Sequence, residues 1–155
     1  MFSSSSNTLG TAPGAHKLHY IALQQSRRPA AIAYTAQSLM SDPVPTEIRL
    51  RRTSRVLEVS FADGARFELP FEYLRVHSPS AEVKGHGPGQ EVLVLGKESV
   101  SIKAVEPVGQ YAVKLVFDDG HDTGLYTWKY LHELGREQSA KWARYLERKA
   151  HAAPR

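Results

Sequence analysis

The sequence contains no cysteine. This absence excludes disulfide bonds, thiolate nucleophiles, zinc–cysteine sites and cysteine-ligated iron–sulfur clusters. The chain also lacks an apolar run that approaches the ~20 residues of a membrane-spanning helix. With 155 residues, 41% of them hydrophobic, it can form one modest core with tails. We therefore expect a soluble, cytoplasmic protein with no membrane partner.

Acidic residues are absent from residues 1–41, which contain Lys17, Arg27 and Arg28. The whole chain carries +4 and this segment carries +3, so residues 42–155 carry only +1. A pI of about 9.4 is common among nucleic-acid-binding proteins. Beyond the first 41 residues, however, the basic residues alternate with Asp and Glu and form no long basic run. We therefore predict no nucleic-acid partner.

The beginning of the chain is rich in Ser, Gly and Thr. Such a segment buries too little apolar surface to offset the entropy lost on ordering. Arg and Ser without acidic residues are also typical of organellar transit peptides. We predict that residues 1–44 form a disordered or leader-like tail, or reflect a mis-assigned start. Pro43 and Pro45 mark its end.

From residue 46 onward the pattern changes to alternating apolar and polar residues. Strand patterns occupy residues 47–52, 55–61 and 65–69, and Asp63-Gly64 supplies the positive φ of a tight hairpin turn. FEYLRV, which follows Pro70, is predicted to form a short helix. A second strand-rich segment begins at EVLVL, residues 91–95.

Residues 57–76 repeat as residues 113–133. Each copy contains a strand, an Asp-Gly turn, a strand and a short helix. Two copies are too few for an open solenoid. We therefore predict an α+β fold with one small antiparallel sheet, built from two β-β-short-helix repeats. The matched residues are Phe61 with Phe117, Asp63-Gly64 with Asp119-Gly120, Leu69 with Leu125 and, after one inserted residue, Tyr73-Leu74 with Tyr130-Leu131.

A C-terminal helix is predicted over residues 136–150, after Gly135 has capped the second short helix. Because Ser139 and Ala140 add little to its apolar side, we expect this helix to be loosely docked. The domain proper is assigned to residues 45–138, and the final helix and tail to residues 139–155.

The candidate site is LRVHSPSAEVKGHGPGQ, residues 74–90. A polar loop of this length is uncommon in a compact domain unless it has a function. It contains His77 and His86, and His121 follows the second Asp-Gly turn, where the first copy has Ala65. These three histidines could bind Zn or Fe if the fold brings them together.

Catalytic motifs are absent: the chain has no phosphate-binding loop, no nucleophile elbow and no facial triad. An enzyme acting on a small molecule would have to use Arg75, His77, Asp119 and His121, and their spacing names no reaction. We therefore predict that the protein is not an enzyme and has no assigned cofactor.

FEYLRVHSPSAEVKGHGPGQ and VFDDGHDTGLYTWKYLHELG resemble a small bacterial family of unknown function, named for the N-terminal domain of gamma-butyrobetaine hydroxylase. The resemblance covers about residues 45–138. In the eukaryotic hydroxylases the similar domain precedes an iron- and 2-oxoglutarate-dependent catalytic domain, binds zinc structurally and helps to assemble the dimer. Similar domains are also fused to iron–sulfur cluster carrier ATPases, which implies a link to iron–sulfur protein maturation.

The hydroxylase zinc ligands are three cysteines and a histidine. By this resemblance they fall on Ser78, Ser80, Val83 and His121. Serine is a poor zinc ligand because its hydroxyl stays protonated near neutral pH, and valine is none. The resemblance therefore implies that the family's zinc site is lost in this chain.

We interpret the protein as a non-catalytic accessory module that binds a partner protein. The partner would be an iron–sulfur carrier ATPase, an oxygenase or a second copy of the chain. The predicted contact residues are Arg75, His77, Ser78, Ser80, Glu82, His86, Gln90 and His121.

Overall fold

The computed structural model of the protein describes residues 20–21, 42–87 and 89–154. No helix in these ranges is long and apolar enough to cross a membrane. Most of the predicted tail, residues 1–44, lies outside the described residues. The elements are β1 (Tyr20–Ile21), β2 (Pro45–Arg51), β3 (Val56–Phe61), β4 (Arg66–Pro70), α1 (Phe71–Val76), α2 (Ala81–Lys84), β5 (Ile102–Val108), β6 (Ala112–Phe117), β7 (Leu125–Thr127), α3 (Trp128–Arg136) and α4 (Gln138–Ala152).

The strands form two antiparallel sheets, ordered β1-β2-β3-β4 and β5-β6-β7. The α+β class, the two β-β-short-helix repeats and the C-terminal helix are confirmed. The strands are divided between two sheets, where we expected one. Each copy pairs its own three strands, since α1, α2 and an irregular segment separate β4 from β5.

Both Asp-Gly turns have the predicted geometry. Gly64 and Gly120 each have φ of +87°, a conformation that glycine adopts without steric cost. In each turn the aspartate Oδ1 accepts a hydrogen bond from the backbone N–H two residues later, at 2.9 Å for Asp63 and 3.2 Å for Asp119. The local sequence therefore determines both hairpins.

The two copies pack against each other through reciprocal contacts. The Tyr73 hydroxyl donates to the Leu134 carbonyl at 2.8 Å, and the Tyr130 hydroxyl donates to the His77 carbonyl at 2.7 Å. Tyr73 and Tyr130 are equivalent in the repeat, and so are His77 and Leu134. Reciprocity of this kind is typical of two-fold interfaces between identical subunits. Each copy thus uses its helix to complete the other.

One hydrophobic core lies between the copies, and both contribute to it. The buried side chains come from the inner faces of the strands and from α1 and α3. Its large, fully buried members include Ile48, Leu50, Leu57, Leu69, Phe71, Tyr73, Leu74, Ile102, Leu115, Phe117, Tyr126 and Leu131. Burying such side chains stabilises the fold by about 1.5–3 kcal/mol each.

Two details of the strand prediction are wrong. Residues 91–95, EVLVL, belong to no strand. In addition, Leu69 pairs with Leu57 in the first sheet. Val113, which is the equivalent of Leu57 in the second copy, pairs with Tyr126. The structural equivalent of Leu69 is therefore Tyr126 and not Leu125. The inserted residue precedes β7.

The C-terminal region also differs from the prediction. Gly135 does not cap a helix but lies inside α3, where a Cβ would overlap the Phe67 ring. The last helix begins at Gln138, two residues later than predicted. It is firmly docked, because Tyr145 is buried and Trp142 packs against the core.

Candidate functional site

The polar stretch after α1 is anchored by backbone contacts as far as residue 92. His77 ends α1, and its Nδ1 donates to the Tyr73 carbonyl at 2.9 Å. The short helix α2 follows, and the Val92 N–H donates to the Val83 carbonyl at 2.9 Å. The first end is therefore fixed to α1, and the bond between Val92 and Val83 closes the loop that follows α2.

His121 connects the second turn to this stretch. Its Nε2 accepts from the Ser78 hydroxyl at 2.8 Å, and its Nδ1 donates to Glu82 Oε2 at 3.1 Å. Burial and the Arg75 cation lower the pKa of His121, while Glu82 opposes them. The neutral imidazole is therefore favoured, and the network assigns its proton to Nδ1.

Asp119 organises the positive charge beside His121. Its Oδ2 accepts from Arg75 Nε at 2.8 Å and from Lys97 Nζ at 2.6 Å. Burial raises the pKa of Asp119, but hydrogen bonds from Lys97, the His121 N–H and Arg75 outweigh it and lower the pKa to about 2. The aspartate of the first turn makes a contact that corresponds to the one between Asp119 and Arg75: Asp63 Oδ2 lies 2.8 Å from His132 Nε2.

The three histidines considered as metal ligands occupy different environments. The His77 ring packs on Tyr73 with centroids 4.5 Å apart, and burial lowers its pKa. Both ring nitrogens of His121 are engaged by Ser78 and Glu82, and His86 is exposed. Within the described ranges, no three His, Cys, Asp or Glu side chains are grouped to hold a metal ion. Metal binding by these histidines stays a prediction.

The four positions at which the resemblance places zinc ligands lie near one another. Ser78 contacts His121, and the Ser80 N–H donates to Ser78 Oγ at 3.4 Å. All four side chains, those of Ser78, Ser80, Val83 and His121, are buried. Two hydroxyls and an isopropyl group do not fit zinc, which takes thiolate, imidazole or carboxylate ligands. Of these side chains, Ser78 and His121 are joined by a hydrogen bond, whereas the buried Ser80 hydroxyl has no hydrogen-bond partner among the described residues.

The predicted contact residues fall into two groups. Four are buried, so a partner protein would contact the residues around them and not these side chains. Three are exposed, and His77 is intermediate. The buried residues are Arg75, Ser78, Ser80 and His121, and the exposed residues are Glu82, His86 and Gln90.

A pocket of about 330 Å³ opens between this stretch and α4. One wall is formed by residues 76–78, Val83 and Lys84, and a second consists of residues 91–94. The helix α3 contributes Tyr130 and Glu133. The remaining wall is the face of α4 that carries Lys141, Arg144, Tyr145 and Arg148.

Side chains of α4 hold the irregular wall in place. The Tyr145 hydroxyl donates to the Val94 carbonyl at 3.1 Å, and Arg148 donates to the Glu91 carbonyl at 2.9 Å. Lys149 forms ion pairs with Glu72 and Glu98. These contacts replace the strand partner that EVLVL lacks.

The sequence analysis missed the α4 side of the pocket. A detectable signal was present, because Lys141, Arg144, Tyr145 and Arg148 recur at spacings of three and four and so share one helix face. The sequence of residues 91–94 did not indicate that they form a pocket wall, because their alternating apolar residues are typical of a strand.

Comparison with known proteins assigns the fold to a family. Residues 48–132 match the family described as "Gamma-butyrobetaine hydroxylase-like, N-terminal". The chain belongs to this family. The predicted resemblance is thereby confirmed, and no curated protein matches the chain.

Solved structures of small proteins agree with this assignment. One solution NMR structure has 49% identity and a TM-score of 0.64, over 72% of this chain and 88% of its own. A second NMR structure has 50% identity and a TM-score of 0.62, over 84% and 91%. A crystal structure from Acidithiobacillus ferrooxidans, of a DUF971-family protein of unknown function, has 49% identity and a TM-score of 0.51, over 61% and 98%.

Proposed function

We propose that the protein is a non-catalytic accessory module that binds a partner protein through one face of the fold. This docking face consists of residues 82–87 and 89–95 and of residues 141–148 of α4. The observation that carries the proposal is the pocket of about 330 Å³ between these two segments. Concave surfaces lined by apolar and a few polar groups are the usual location of binding sites.

Exposed apolar groups on this face support the proposal. Val92 lines the pocket and remains 51% exposed, and Leu95, three residues later, is 45% exposed. The wall that carries them is fixed by hydrogen bonds from Tyr145 and Arg148. A partner therefore meets a preformed surface and loses little free energy in ordering it.

A catalytic alternative is suggested by the Ser78–His121–Glu82 contacts, which follow the order of a serine–histidine–acid triad. Ser78 is only 1% exposed. Its Oγ lies against Gly124, where an added Cβ would overlap it. A nucleophile must reach its substrate, so this arrangement favours a structural network over an enzyme.

The nature of the partner rests on the family resemblance. An iron–sulfur carrier ATPase, an oxygenase or a second copy of the chain are the candidates. Metal binding through His77, His86 and His121 is the other candidate function. Metal analysis of tag-free protein, with His121→Ala as control, separates it from partner binding.

Site-specific photocrosslinking in cells tests the proposal. A photoreactive amino acid placed at Val92 should capture one defined protein, and the same group at Tyr111 should not. Tyr111 is a matched control because it is also exposed, at 55%, and does not line the pocket. Equal capture from both positions, or none from Val92, would contradict the proposal.

A further inference from the structure

The pocket has more positive than negative groups in its walls. Lys84, Lys141, Arg144 and Arg148 line it, against the carboxylates of Glu91 and Glu133. Lys141 pairs with Glu133 and Glu137 at 3.4 and 3.2 Å.

The other three cations, Lys84, Arg144 and Arg148, form no ion pair with a carboxylate of the described residues. Converging unpaired cations of this kind attract an anionic ligand.

Lys84 and Arg148 are nevertheless held in place. Lys84 Nζ lies 5.2 Å from the centre of the Tyr130 ring, and Arg148 donates to the Glu91 carbonyl. Each retains donors for a ligand, since an ammonium has three and a guanidinium five.

The spacing of the two arginines on α4 indicates the shape of the ligand. Arg144 and Arg148 are four residues apart, which corresponds to a rise of about 6 Å along a helix. In an extended peptide, side chains at positions i and i+2 lie on the same side, about 6.6–6.8 Å apart. An extended Glu-x-Glu segment therefore matches both arginines. Its middle residue points to the other side of the segment.

The undescribed part of this chain does not provide such a ligand. Residues 1–41 contain no Asp or Glu. A segment without carboxylates cannot neutralise Lys84, Arg144 and Arg148. Residues 1–41 therefore do not supply the acidic segment.

We propose that the pocket binds an extended acidic segment of a partner protein, with alternating carboxylate and apolar side chains. The carboxylates pair with Arg144, Arg148 and Lys84, and the apolar side chains contact Val92. This inference rests on the proposed function, because it names the part of the partner that enters the docking face.

Fluorescence anisotropy with purified full-length protein tests the inference. The probe is a fluorescein-labelled decapeptide of alternating Glu and Val. Two control peptides have the same length: one has Lys in place of Glu, and one has the five Glu and five Val in separate blocks. The variant is Arg144→Glu/Arg148→Glu. Lys129→Glu/Arg136→Glu is the matched control, because it changes the net charge equally on exposed positions of α3 that do not line the pocket.

We expect the alternating acidic peptide to bind, and the pocket variant to weaken binding at least tenfold, since the charge-assisted hydrogen bonds from both arginines are lost. The control variant should retain binding within about twofold, because distant charges are screened by salt. The Lys peptide should not bind. Circular dichroism checks that both variants are folded.

Equal weakening by both variants, or equal binding of the block peptide, would overturn the inference, because either result indicates non-specific attraction of charge. If the peptide fails to bind while crosslinking from Val92 still captures a partner, the acidic ligand is wrong and the docking face stands. If both experiments fail, the docking face is wrong as well.

Discussion

The two copies of the repeat have nearly the same backbone and different surroundings. In both, an Asp-Gly turn with a glycine φ of +87° leads into a strand and then a helix. Their helices begin in the same way: the Phe71 N–H donates to the Arg55 carbonyl and the Trp128 N–H to the Tyr111 carbonyl, both at 3.0 Å. The scaffold is therefore close to symmetric.

The differences are concentrated beside the second turn. The first turn is followed by Ala65 and the second by His121, which holds Ser78 and Glu82. The residues before β5 form the pocket wall against α4. A duplicated unit thus supplies the scaffold, and the segments outside the repeat, residues 91–94 and α4, form the walls of the pocket.

Truncating the first residue of α1 or α3 should have the largest effect on the stability of the fold. Phe71 and Trp128 are equivalent and buried, so Phe71→Ala and Trp128→Ala should each reduce the free energy of unfolding by about 3–5 kcal/mol. Because the copies share one core, urea unfolding of either variant should remain a single transition by circular dichroism and tryptophan fluorescence. Two separate transitions would mean that the copies fold independently.

His121→Ala gives the second turn the same residue that follows the first turn, where Ala65 stands. The hairpin should persist, because Phe117 bonds to the backbone of His121. The buried Ser78 hydroxyl would lose its partner and a cavity would open, at a cost of about 2 kcal/mol. Hydrogen exchange should accelerate at residues 78–85 and not in β6. Unchanged exchange at residues 78–85 would show that His121 does not hold this stretch.

Tyr73→Phe and Tyr130→Phe each remove one of the two reciprocal hydrogen bonds. The Tyr73 bond is fully buried and the Tyr130 bond is partly buried. We expect a loss of about 1–1.5 kcal/mol for Tyr73→Phe, and less for Tyr130→Phe, where water can reach the carbonyl left behind. Chemical denaturation measures both, and a larger loss at Tyr130 would contradict this order.

Asp119→Asn should change the acid limb of the stability curve. The pKa of Asp119 lies at about 2 in the folded protein, below its ordinary value of 3.8. Ionised Asp119 therefore stabilises the fold above pH 4, and this contribution shrinks as the pH falls from about 4 to 2. Allowing for solvent screening, we expect a difference of about 1 kcal/mol at pH 7.

The difference between wild type and Asp119→Asn should shrink as the pH falls and should vanish only below the folded-state pKa of Asp119, about 2. Asp63→Asn serves as the comparison. In the wild type, hydrogen bonds from the Ala65 N–H and His132 also lower the pKa of Asp63. Because this side chain is exposed, the loss of stability in Asp63→Asn should be smaller. A difference for Asp119→Asn that does not depend on pH would refute the electrostatic explanation.

The fold was predictable where local chemistry determines it. Asp63-Gly64 and Asp119-Gly120 dictate their turns, and Pro70 places the start of α1. The strand predicted at residues 91–95 failed because tertiary contacts from Tyr145 and Arg148 override its alternating pattern. Gly135 was misread as a cap because the Phe67 ring that requires a glycine there lies 68 residues earlier in the chain.

The candidate site was predictable only in part. The unusual composition of residues 74–90 marked the stretch, and the unmatched His121 marked its partner. The pocket itself depends on how α4 packs across residues 91–94, which no local pattern encodes. The sequence places Arg144 and Arg148 on one helix face, but only the fold shows that this face lines the pocket.

The central claim is that the docking face, and not the first Asp-Gly turn, binds the acidic ligand. Titration of ¹⁵N-labelled protein with the alternating Glu-Val peptide, followed by amide chemical shifts, tests it most directly. We expect shifts at Lys84, Val92, Arg144 and Arg148, and none at residues 63–66 of the first turn. Shifts at the first turn of equal size, or spread evenly over the basic surface, would contradict the claim.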